Sequence, residues 1–182
     1  MEKLAEDLRM RGDAIRKVDK THILTSHSAV PSLFTSPLWG EGNPDDFLMA
    51  EVVDFYGTSL YPKHSFPKYH WSLIYFISMA DFSRSANIRN GGFYVGELQA
   101  GYGTRGVVVG NPVTAGDLRS WMWSVIAKGA RGVHLYAYYP MSSGYESGGY
   151  GLVTLDGTIT ERAKASGKIA EIVSKNMNLF LN

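Results

Sequence analysis

Apolar residues at Leu4, Leu8, Ile15 and Val18 lie along one stripe and predict an amphipathic helix over residues 3–18. The pattern then changes period. His22-Ile23-Leu24-Thr25-Ser26-His27 reads as a short strand, and Pro31, Pro37 and Gly40 mark the loop after it. Asn43-Pro44-Asp45-Asp46 has the form of an N-cap, a proline at the first helical position and first-turn acids, which predicts a short helix through Val52. A strand is expected over 53–59, closed by Tyr61-Pro62, and an apolar helix over 69–85. Gly92-Phe93-Tyr94-Val95-Gly96-Glu97-Leu98-Gln99-Ala100-Gly101 is β-branched and aromatic enough for a buried strand, and it opens onto a glycine-rich loop. Thr114 to Asp117 has capping-box form ahead of Leu118, Trp121, Met122, Val125 and Ile126, one helical face ending at Gly129. A strand over 132–138 follows, then a Gly/Ser/Tyr loop to Gly151 and a helix to Asn176 capped by Thr158 with Glu161.

The order is one helix followed by four strand-helix units, an α/β pattern that implies a parallel sheet with right-handed crossovers. Two architectures fit it. One is a flavodoxin-like open sheet that is complete in itself. The other is half of a (β/α)8 barrel, since a whole barrel takes roughly 250 residues and this chain has 182. Glu97 bears on the choice, because a carboxylate at the C-terminal edge of a strand is where barrel enzymes keep their chemistry. An acid there must face a solvated mouth or be paired. An ion pair with Arg105 or a helix cap is the competing reading.

Composition narrows the function classes. Lys plus Arg number 18 against 17 for Asp plus Glu, so there is no basic footprint for nucleic acid or an anionic membrane. The absence of cysteine excludes a disulfide framework and thiolate chemistry. The charged, helical N-terminus has no apolar signal core or spanning segment, and a cytoplasmic location is expected. His22, His27, His64, His70 and His134 show no ligand spacing, so neither metal nor cofactor is expected. Gly101 to Gly106 matches a dinucleotide fingerprint, but Val107-Val108-Val109 stands where a phosphate-binding helix should begin. His134 and Trp121 are expected in the core. His27 and His64 fall near strand ends, and Trp39 sits in a loop at the same edge, which suits sugar stacking.

Four blocks in order carry a family resemblance: 53–62 (VDFYGTSLYP), 94–101 (YVGELQAG), 127–133 (AKGARGV), and Gly144-Tyr145-Glu146 ahead of 151–157 (GLVTLDG). Across residues 20–165 the chain resembles the last strands of glycoside hydrolase family 42 β-galactosidases. The resemblance implies a single partial catalytic domain over 1–182, the C-terminal half of a TIM barrel with strands five to eight, acting on a β-galactoside or related glycoside. It places the catalytic nucleophile on Glu97, a sugar-lining and nucleophile-supporting role on Tyr61, and sugar-hydroxyl binding on Glu146. Trp39, His27 and Tyr138 join these as candidate substrate-binding residues.

The chain also departs from the family. Tyr138-Tyr139-Pro140 stands where Trp-Arg is usual, and Gly149 where a sugar-binding histidine is common. The acid/base glutamate of the family follows an asparagine on the fourth strand, and no Asn-Glu pair occurs here. An isolated chain is therefore expected to be inactive, and its two unpaired half-barrel edges to invite self-association.

Overall fold

The computed structural model describes residues 2–34, 44–64, 70–105 and 108–180, without the side chain of Arg105. Trp39 lies outside the described residues. In chain order the elements are α1 (Glu2–Arg16), β1 (Thr25–Ser28), α2 (Asp46–Ala50), β2 (Phe55–Leu60), α3 (Leu73–Ala86), β3 (Phe93–Gln99), β4 (Thr104–Arg105), β5 (Val108–Val109), α4 (Ala115–Ala127), β6 (Ala130–Tyr136), α5 (Glu161–Lys175) and α6 (Met177–Phe180).

Four strands form one sheet in the order β1-β2-β3-β6, and every pairing is parallel. A flavodoxin-like sheet would carry its first strand inside the order. The sequential order is that of an arc of a barrel. Helices cover one face, where Leu60, Phe93, Val95 and Leu98 of the strands pack with Phe76, Met79, Leu118, Trp121, Val125 and Ile169 of α3, α4 and α5. Trp121 is buried there, as its place on the apolar stripe predicts.

The caps show how local chemistry sets the boundaries. Thr114 accepts the Asp117 N–H while the Asp117 carboxylate accepts the Thr114 N–H, the reciprocal box expected for α4. Elsewhere the boundaries move. Asp45 caps α2 by accepting from the Phe47 and Leu48 N–H groups, so the helix starts later than Pro44 suggests. Thr160 caps α5, because Val153 bridges Ile159 and holds Thr158 in the preceding turn, where its N–H reaches Thr154 Oγ1 and Asp156 Oδ1. The glycine-rich stretch after β3 folds as a small antiparallel pair, β4 with β5, and no helix follows the dinucleotide-like glycines there. The stripe on α1 exists but stays largely open: Leu4 and Ile15 are exposed, and Ala5 is the buried residue of that helix.

Candidate active site

Strict alternation along β3 would send Glu97 to the same side as Phe93 and Val95, into the helix-covered core. A β-bulge prevents this. Tyr94 and Val95 pair with Gly57 and Thr58, and the next pairs are Glu97 with Ser59 and Leu98 with Leu60, so Gly96 has no partner in the ladder. The extra residue shifts the phase by one: Val95 and Leu98 are both fully buried, while Tyr94 and Glu97 are partly open. Glu97 thereby joins Tyr94 on the face away from the helices, and its negative charge helps push the Tyr94 phenol up, after burial. A side chain on Gly96 would strike the His27 ring at 2.4 Å, which places His27 of β1 against the bulge on the same face.

Tyr61 follows β2 directly, and its hydroxyl donates to Glu97 Oε2 at 2.6 Å. Burial first, then this bond and the charge of Glu97, hold the Tyr61 phenol above its ordinary range. It stays a donor. Among the described residues no other group bonds Glu97, and the residue is partly open.

Glu146 is reached from the neighbouring strand. The Tyr136 hydroxyl, on the last residue of β6, donates to Glu146 Oε2 at 3.0 Å. Tyr150 lies between the two pairs, with its ring centroid 5.9 Å from Tyr61 and 5.2 Å from Tyr136. Its hydroxyl is hydrogen-bonded to His64 Nε2 at 2.5 Å. The loop that brings Tyr150 here needs glycine on the facing segment. Gly103 has a positive φ of 76°, and a β-carbon on it would stand 2.8 Å from the Tyr150 ring. Its N–H donates to the Gly149 carbonyl at 2.9 Å, which fastens the loop after β3 to the loop after β6.

The structure thus gathers Glu97, Tyr61 and Glu146 with Tyr136, Tyr150 and His64 at the C-terminal ends of the strands. Tyr138 is not among them. The residue is 64% exposed, and no side-chain bond or ring contact ties it to this cluster among the described residues. The strand stops at Tyr136, whose peptide bond to Ala137 is cis. The ring that meets Glu146 is that of Tyr136, which is not among the expected site residues. His134, expected in the core, is exposed on the open face, with its Nδ1 2.6 Å from the Tyr94 hydroxyl. The sequence signal for Tyr150 was the run of glycines at 101, 103, 149 and 151, which permits two loops to touch.

Among the described residues no group of three or more acidic or histidine side chains could hold a metal, and no helix is long and apolar enough to cross a membrane. A family model described as β-galactosidase, glycoside hydrolase family 42, matches residues 1–175. Comparison with curated proteins finds no match. Among solved structures, the β-galactosidase of the psychrophilic Marinomonas ef1 superposes with a TM-score of 0.76 at 18% identity, over 94% of this chain and 26% of that one. The β-galactosidase of the haloarchaeon Halorubrum lacusprofundi gives 0.75 at 20% identity, over 92% of this chain and 25% of that one. That of Bacillus circulans sp. alkalophilus gives 0.72 at 15%, over 92% and 23%. At these identities the superpositions establish the shared fold, and this chain spans about a quarter of the length of each. With the family model covering nearly its whole length, the chain belongs to the glycoside hydrolase family 42 β-galactosidases.

Proposed function

We propose that this chain carries the nucleophile side of a retaining β-galactosidase site, with Glu97 as the nucleophile. The observation that supports the reading is the 2.6 Å bond from Tyr61 to Glu97 Oε2, at the adjoining ends of β2 and β3. It holds one carboxylate oxygen of a partly open side chain. In the first step a Glu97 oxygen bonds to the anomeric carbon as the glycosidic carbon–oxygen bond breaks, and the leaving oxygen takes a proton from a second carboxyl. Water, giving its proton to that second carboxylate, then displaces Glu97 and restores the original configuration. Glu146, oriented by Tyr136, accepts hydrogen bonds from the sugar hydroxyls, and His27 adds to the glycone side.

Retaining chemistry needs the two carboxyls about 5–5.5 Å apart. Glu146 is engaged by Tyr136 and serves binding in this reading, so the acid/base is missing and the isolated chain turns over ordinary galactosides negligibly. The first half-reaction is still testable alone. In a dinitrophenyl deoxyfluoro-β-galactoside the dinitrophenolate departs without needing a proton. The sugar should add covalently to Glu97, as mass spectrometry of the digested protein would locate, and Glu97→Gln should take up no label. Reversible galactose binding without any adduct would replace this reading with a non-catalytic carbohydrate-binding half-barrel.

A further inference from the structure

The turn that carries Tyr61 is fastened at Lys63 through every polar group that residue owns. Its N–H donates to Gln99 Oε1 at 2.8 Å. Its carbonyl accepts from the N–H and the Nδ2 of Asn111, both at 3.2 Å. Its ammonium donates to Asp117 Oδ2 at 2.8 Å and to the Pro112 carbonyl at 3.2 Å. Gln99 is the central piece. It is wholly buried, two residues beyond Glu97 on β3, and its Nε2 donates to the Gly101 carbonyl at 2.8 Å and to that of Tyr102 at 3.4 Å. One amide thus joins the Tyr61 turn to the strand that carries Glu97. A buried amide with both ends satisfied fixes the separation of the segments it bridges, because releasing either end strands a polar group.

We propose that Gln99 is a positioning residue: by holding the Lys63 N–H to the end of β3, it sets the Tyr61 turn at the height where the hydroxyl meets Glu97. Its importance for chemistry rests on the reading of Glu97 as the nucleophile; its effect on the Tyr61–Glu97 contact does not. The amide, and not merely a side chain of that size, is required, since a carboxylate would face the Gly101 and Tyr102 carbonyls with no proton to give.

The test uses the full chain with isotope-labelled tyrosine, following the phenol carbon of Tyr61, assigned by its loss in Tyr61→Phe, through an alkaline titration. In the unmodified chain this resonance should stay protonated through the range near 10 where ordinary tyrosines titrate. In Gln99→Glu it should titrate lower by about one unit or more, as the bond to Glu97 loosens. Val125→Ala, which opens a cavity in α4 away from the turn, should lower stability and leave the Tyr61 titration in place. If Gln99→Glu does not fold, Gln99→Met carries the same test with the same direction, because it keeps the side-chain length and removes the acceptor of the Lys63 N–H together with the donor to Gly101 and Tyr102. Folded variants with an unmoved Tyr61 would overturn the proposal. With the fluoro-galactoside above, Gln99→Glu should also slow labelling by at least about tenfold, and combination with Tyr61→Phe should add little further. A chain that passes the titration test but never takes label would instead count against the glycosidase reading alone.

Discussion

Burial, then the hydrogen bond and charge of Glu146, with Glu97 further away, push the Tyr136 phenol up to about 12. That makes it a reporter on the second acid of the site. Replacing Glu146 with Gln removes the charge and keeps the size, so Tyr136 should titrate closer to its ordinary value of 10.0, with Tyr61 unchanged. The labelled-tyrosine titration used for Tyr61, with Tyr136 assigned by its loss in Tyr136→Phe, would read both. No movement at Tyr136 would mean that Glu146 does not take its hydroxyl in solution, and the sugar-binding role given to Glu146 would lose its support. Gly96 shows the same scale at work in the backbone. Without a β-carbon it lets the His27 ring lie against the bulge, and the bulge is what turns Glu97 out of the core.

Helix α4 ties the site to stability through its first turn. Asp117 closes the capping box on Thr114 and binds the Lys63 ammonium. Burial raises its pKa, but the bonds from Lys63 and Thr114 outweigh this and hold it below the ordinary 3.8. A depressed folded-state value means that the stabilisation is present above the unfolded value and is lost as pH falls through the folded one. Asp46 has the opposite sign. Burial outweighs its bonds to Ser32 and Ser28 and raises it, so its charged form weakens the fold as pH rises. Asp117→Asn should therefore flatten the acid limb of the unfolding curve below about pH 3.8 and lower the neutral plateau. Thermal melts across that range would show it, and parallel acid limbs in the two proteins would remove Asp117 from the account. Thr114→Ala should cost about 1 kcal/mol, the usual worth of such a cap.

For the molecule as a whole, the decisive feature among the described residues is a sheet whose helices pack on one face and whose outer strands pair on one side only. β1 and β6 each pair on one side only within the sheet. The uncovered face holds Tyr94 and His134, with His27 beside them. An unpaired parallel edge is a template for another strand. The chain should therefore associate with rising concentration in static light scattering, and a lysine placed on the β1 edge, as in Ser26→Lys, should reduce the association. A monomer that persists at high concentration would show that the edges are protected in some other way.

The amino-acid sequence by itself determined the alternation of four strands with helices, the buried stripe of α4 and its Thr114–Asp117 box, because these depend on neighbours three or four residues apart. It also placed Glu97 at a strand end, and the blocks around it carried the family. Tertiary structure decided the rest. Periodicity cannot show which face Glu97 takes, since a bulge at Gly96 arises from pairing with β2. Nor can it show that β6 ends at Tyr136 and not Tyr138, that Thr160 and not Thr158 starts α5, or that His134 stands open. Each of these is set by a partner tens of residues away or by a loop closing over a strand, and local spacing carries no record of either.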